Sequence, residues 1–199
     1  AAPEPAAAPE PAAAPEPAQA RTIMVIRHGE KPSKSGTGID PAGRPDSHSL
    51  TQRGWSRANN LPDLFGGGGP LRPGLAKPKV IYAAHANGLG EGTRTRETVR
   101  SVSSRLNVPI DTSFGKGDEA ALARQAAAAA EKGPVLVCWQ HGEIPAIASA
   151  LKVVGPQPPK TWPDDRYDMV WTFTETPQGW TFSQVPEMVL AGDSAQTFR

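Results

Sequence analysis

Two short stretches of this sequence bring together residues suited to phosphoryl chemistry. Arg27-His28-Gly29-Glu30 and Gln140-His141-Gly142-Glu143 each follow an apolar run, at 22–26 and 135–139. A neutral imidazole can act as a nucleophile and form a covalent phosphohistidine. A guanidinium grips phosphate with two parallel hydrogen bonds, where lysine offers a point charge. Transfer also needs in-line geometry, fixed positive charge around the peripheral oxygens and a proton for the leaving oxygen. Arg27 sits beside the candidate nucleophile His28, and Gly29 lets the backbone turn closely around a phosphate. His141 stands where a helix begins, at the dipole end that favours anions. One histidine at a strand end is ordinary, whereas two in matched contexts with Arg27 point to a site.

The elements that must position these residues follow from hydrophobic periodicity. Short apolar runs predict strands at 22–26, 80–84, 108–111 and 135–139. Helices are expected at 50–65, where Trp55, Ala58, Leu61 and Leu64 recur at helical spacing, and at 94–106, 118–132 and 144–151. Pro62 should kink or end the first of these. Asp118 can cap the third, and Gly133-Pro134 stop it. The segments 169–173 and 180–185 form a hairpin around Thr176-Pro177-Gln178-Gly179. Alternating strands and helices predict an α/β three-layer sandwich: a mostly parallel sheet, helices on both faces, and the antiparallel C-terminal hairpin at one edge. In such a sheet, ligands bind at the carboxyl ends of the strands. Both His-Gly-Glu triplets therefore arrive at the same edge.

Composition narrows the function. The 199 residues carry 21 Lys and Arg against 20 Asp and Glu, a net charge of +1. That balance argues against a general nucleic-acid or membrane-surface binder. The single cysteine, Cys138, allows no intrachain disulfide and reads as a small buried residue. The four histidines show no zinc-ligand spacing, and no apolar stretch is long enough for a membrane span. Residues 1–20 repeat Pro-Glu-Pro at Pro3, Pro9 and Pro15 with alanines between. They read as a semi-rigid low-complexity tether ahead of one domain at 21–199. This leader favours an exported or periplasmic protein, with a cytoplasmic one as the alternative; a docking peptide for a Pro-binding partner is the other use for it.

Four segments, in order, resemble the signature of the histidine phosphatase (phosphoglycerate-mutase-like) superfamily. They are Arg27-His28-Gly29-Glu30 after the first strand, Leu50-Thr51-Gln52-Arg53-Gly54 at a helix start, Arg94-Thr95-Arg96-Glu97-Thr98, and His141-Gly142 after an apolar strand. Glu97 replaces the family's usual Gln, and the glycine-rich stretch 85–93 replaces its Ser close before the pocket arginine. The resemblance implies that His28 is phosphorylated and that Arg27, Arg94 and His141 form the phosphate pocket, with Gly29 beside it, and that neither metal nor cofactor takes part. It implies a general acid at Glu119 or Asp118, as in mutase-like branches. The position directly after the second histidine, an Asp in acid phosphatases, is here Gly142. Glu143, Glu91 and Glu30 are further candidates.

The expected activity is hydrolysis of a phosphomonoester or phosphoramidate, on a small phosphorylated substrate or a phosphohistidine protein. A mutase, or a non-catalytic phospho-ligand binding module, are the alternatives. His48 and His85 lie in loops that could line the cleft. The stretch 162–168, with Trp162, Asp164, Arg166 and Tyr167, either covers the site's rim or anchors a loop on the core.

Overall fold

A run of five buried residues explains why β1 (Thr22–Arg27) lies at the heart of the sheet: everything from Ile23 to Arg27 is hidden from solvent. The computed structural model describes residues 20–87 and 90–199. The tether at 1–19, and Gly88 and Leu89 of the glycine-rich stretch, lie outside the described residues.

Six strands form one sheet. β6 (Val135–Trp139) pairs parallel to β1, with Arg27 opposite Trp139. β4 (Val80–Ala83) lies parallel on the far side of β6, and the short β5 (Ile110–Asp111) is parallel to β4. On the other flank β7 (Met169–Thr176) runs antiparallel to β1, and β8 (Gly179–Pro186) closes the edge hairpin. The two central parallel strands carry near-continuous apolar runs because both faces are covered. Alternation then sorts their side chains. Ile23, Val25, Val135, Val137 and Trp139 pack with α3 (Glu119–Ala129) and α4 (Ile144–Leu151). Met24, Ile26, Leu136 and Cys138 face α1 (Gln52–Leu64) and α2 (Thr93–Leu106). The three layers match the expected architecture, and Cys138 is buried as expected. Among the described residues no helix is long and apolar enough to cross a membrane.

Pro62 lies in the last turn of α1, which ends at Leu64; Gly67 N–H donates to the Pro62 carbonyl at 2.7 Å just past its end. Two local expectations need correction. Asp118 precedes α3 but makes no side-chain cap; its carboxylate instead accepts from Gly115 N–H at 2.9 Å. The supposed loop 29–49 holds a small hairpin, β2 (Gly38–Ile39) with β3 (Pro45–Asp46).

Periodicity also gave no warning of a buried ionic cluster under α1. Arg57 is 2% exposed. Its Nη1 donates to Glu187 Oε2 at 2.7 Å, its Nη2 to Asp193 Oδ1 at 2.8 Å, and its Nε and Nη2 to the Glu30 carboxylate. Arg53 reaches Glu30 as well, at 3.2 Å. Two guanidinium groups thus face three carboxylates, and the most buried of these holds a proton most readily. Burial pushes the Glu187 carboxyl up to about 8, against the pull of Arg57.

A folded-state value above the unfolded one, about 4.3, means that folding favours the protonated form. The contribution of Glu187 to stability is therefore fully present below about 4.3 and is lost as pH rises to about 8. Thermal melts at pH 6 and pH 9 are expected to show a drop in Tm for the wild type and a smaller drop for Glu187→Gln, which cannot ionise. Equal drops in both proteins would refute this reading.

Candidate active site

His28 extends β1 past its last residue, with its N–H donating to the Trp139 carbonyl at 3.1 Å. Since β6 lies alongside in register, both triplets emerge at one sheet edge. There His28, Arg94 and His141 line a common pocket of about 350 Å³ with Lys31, His48, Lys116 and Glu143. Among the described residues, its wall holds no aliphatic side chain larger than the methyl of Thr95.

The His28 ring is 5% exposed. Its Nδ1 lies 2.7 Å from the Gly29 carbonyl. Only an Nδ1–H can donate there, so in the neutral ring Nε2 keeps the lone pair. Burial pushes the His28 imidazole down to about 3, helped by the positive charges of Arg27, Arg94 and His141 and opposed by the Gly29 hydrogen bond. The ring is therefore neutral at ordinary pH, the state a nucleophile requires.

Arg27 is completely buried and not part of the pocket wall. Its Nη1 donates to three carbonyls of one loop: Asp164 at 2.7 Å, Arg166 at 2.9 Å and Pro163 at 3.3 Å. Its guanidinium lies 3.7 Å over the Tyr167 ring. The other edge of the guanidinium, Nε with Nη2, is buried and has no partner. That edge is the side-on fork that binds two oxygens of a phosphate, and an unpaired buried donor is costly unless something satisfies it.

The helix motifs acquire physical meaning here. Thr51 caps α1, accepting from Gly54 N–H, while its own N–H and hydroxyl both donate to the Glu30 carbonyl. Gly54 and Gly29 lie against each other. A Cβ at Gly54 would stand 2.7 Å from the Glu30 oxygen and 2.9 Å from its nitrogen, and one at Gly29 would stand 3.0 Å from the Gly54 oxygen. Thr98 accepts the Gly29 N–H at 2.8 Å and donates to the Arg94 carbonyl. Glu97, in the place of the family's Gln, accepts from Ser49 Oγ at 2.7 Å and Leu50 N–H at 2.9 Å. Both motifs thus brace the turn that carries His28. Gly54→Ala is expected to displace that turn and lower kcat on the order of tenfold to a hundredfold, the scale of an ångström's misplacement. Steady-state assays, with circular dichroism as a check of folding, measure it; unchanged kcat would contradict the bracing role.

The remaining candidates divide between the pocket and its surroundings. Arg94 lines the pocket, holding the Ser47 carbonyl through Nη2 at 2.8 Å, while Arg96 is exposed away from it. Gly92 begins α2 at φ 86°, where a Cβ would collide with the His85 carbonyl. His48 lines the pocket; exposed His85 does not. Gly29 is absent from the pocket wall, its N–H spent on Thr98, so it acts by close packing rather than by touching phosphate.

Glu119 is not brought to the pocket at all: it is 7% exposed, and its carboxylate accepts from the Trp139 indole at 3.1 Å and from Gly117 N–H. Glu30 is spent on Arg57 and Arg53. Lys31 and Lys116 had no sequence signal. Lys31 merely follows the first triplet, and Lys116 lies in a loop before α3. The stretch 162–168 does both things expected of it: Trp162 packs 5.1 Å from Trp171, and Asp164 reaches His141, its Oδ1 2.5 Å from Nε2.

No family model and no curated protein sequence matches the chain. Solved structures do. A phosphoserine phosphatase from Entamoeba histolytica, crystallised with phosphoserine, superposes with TM-score 0.54 at 13% identity over 85% of this chain and 98% of its own. A chain from Escherichia coli K-12, provisionally described as an alpha-ribazole-5'-P phosphatase, gives 0.52 at 14% identity over 87% of this chain and 100% of its own. The chain shares the α/β fold of these two solved structures.

Proposed function

We propose that this protein is a metal-independent phosphatase that hydrolyses phosphomonoesters or phosphoramidates through a phosphohistidine on His28. One observation carries the reading: a neutral imidazole, its Nδ1–H fixed on the Gly29 carbonyl, shares a pocket with Arg94 and His141 and feels the charge of Arg27, the residue before it at the end of β1. His28 Nε2 attacks phosphorus, and the guanidinium groups and His141 hold the negative charge spread over the peripheral oxygens. Water then cleaves the N–P bond and releases phosphate. The wall without aliphatic groups suits a small hydrophilic substrate or a phosphorylated side chain better than a greasy one.

Rapid quenching during turnover tests the covalent step. The trapped phosphoenzyme is expected to be labile in acid and stable in alkali, as a phosphoramidate is. Phosphate that survives acid but not alkali would eliminate His28 as the attacking group.

A further inference from the structure

An alkyl phosphate cannot leave readily as an alkoxide, so its hydrolysis calls for a proton donor at the leaving oxygen. Three of the carboxylates suggested by sequence are engaged elsewhere: Glu119 serves the Trp139 indole, Glu30 serves Arg57, and Asp118 takes Gly115 N–H. Glu143 and Glu91 line the pocket, the first 3.4 Å from the Lys116 ammonium and the second accepting from the Asn87 amide.

Asp164 is not in the pocket wall but is bonded to His141, which is. Its Oδ1 is 2.5 Å from His141 Nε2, and its side chain is otherwise 93% exposed, open to an arriving molecule. Its backbone is pinned by Arg27, whose Nη1 donates to the Asp164 carbonyl at 2.7 Å and to the carbonyls of Pro163 and Arg166. The arginine next in sequence to the nucleophile therefore also fixes this carboxylate at the site. Building on the phosphatase reading above, we infer that Asp164, paired with His141, supplies the proton to the leaving oxygen.

In the free site burial, Arg27 and Lys31 lower His141 overall against the pull of Asp164, and His141 and Arg27 lower Asp164. The pair therefore takes up its proton with the substrate, whose phosphoryl dianion favours a charged His141. It then holds one proton beyond a neutral imidazole and a carboxylate. The lone pair of His28 Nε2 forms the N–P bond; the bond from phosphorus to the leaving oxygen breaks, and that oxygen takes the pair's extra proton. In the second half water attacks phosphorus, its proton returns to the pair, the N–P bond breaks and His28 recovers its lone pair.

The test measures kcat/KM of the full-length protein on a series of phosphate esters running from nitrophenyl to alkyl leaving groups. Asp164→Asn retains the shape of the side chain and an acceptor for His141 but cannot carry the proton. It is expected to lose on the order of 10²-fold more activity on alkyl than on nitrophenyl phosphate, giving a steeper dependence on leaving-group basicity. Asp164→Glu is expected to recover part of the alkyl activity. A uniform loss across the series would assign Asp164 a merely structural role and overturn the proposal, as would no loss at all. Wild-type protein inactive on every ester, or as active as His28→Ala, would refute the phosphatase reading itself, and the proton donor with it.

Discussion

His28→Ala is expected to abolish turnover, lowering kcat on the order of 10⁴-fold or more, because the buried neutral imidazole at the end of β1 is the group that attacks phosphorus in this reading. Its neighbours are poor substitutes: Arg94 is a cation, His141 Nε2 already engages Asp164, and His48 is half-exposed in the loop after β3, beside Asp46. What survives the substitution is the electrostatic pocket, so phosphate or vanadate should still bind within a few-fold of wild type. The variant should also fold. His28 is neutral, so its loss strands no charge, and the deletion costs one ring and one hydrogen bond to Gly29. Steady-state kinetics, an equilibrium binding measurement and a thermal melt check the three parts. A His28→Ala protein that kept about a tenth of wild-type kcat would place the nucleophile elsewhere.

The largest expected effect on stability comes from Arg57→Ala. Removing the guanidinium leaves Glu187, Asp193 and Glu30 facing one another with only half-exposed Arg53 to compensate. Breaking a buried ion pair by deleting one partner typically costs about 3–5 kcal/mol, since the remaining charge stays desolvated. For a chain of this size that corresponds to a fall in Tm of roughly 10 °C. Arg57→Lys should fall between, because an ammonium keeps the charge but not the fork that serves three carboxylates. The exposed pair Arg44–Asp40 is the control: Arg44→Ala should change stability by less than about 1 kcal/mol. Denaturant unfolding of the three variants measures this. An Arg57→Ala protein within about 1 kcal/mol of wild type would show that the cluster carries little.

The same cluster connects stability to the site. Glu30 follows Gly29 in the chain, its side chain is held by Arg57 and its carbonyl by Thr51. The C-terminal segment joins through Glu187 and Asp193, so residues far along the chain brace the turn that carries His28. Arg57→Ala should therefore lower activity as well as Tm.

The legibility of the site from sequence followed a physical boundary. His28, Arg94 and His141 could be read because each lies at the end of an element whose period was plain, and the parallel register of β1 and β6 then brings the two histidines together. The acid at Glu119 was misjudged because position within a first helical turn says nothing about what packs over it; Trp139, from a different layer of the chain, takes that carboxylate. Gly29 was given a phosphate contact that Thr98 pre-empts.

The sequence by itself determined the order of strands and helices, the sheet edge where the chemistry sits, and the types of side chain delivered there. These follow from local periodicity and from the rule that parallel strands present their carboxyl ends together. Only the tertiary structure decided which carboxylate stands free beside His141, which edge of Arg27 lacks a partner, and that Arg57 holds three acids in the interior. Such facts depend on burial and on hydrogen bonds between residues separated in the chain, by 23 positions for His141 with Asp164 and by 130 for Arg57 with Glu187, and the free energy of a charge is set by those surroundings rather than by its neighbours in the chain.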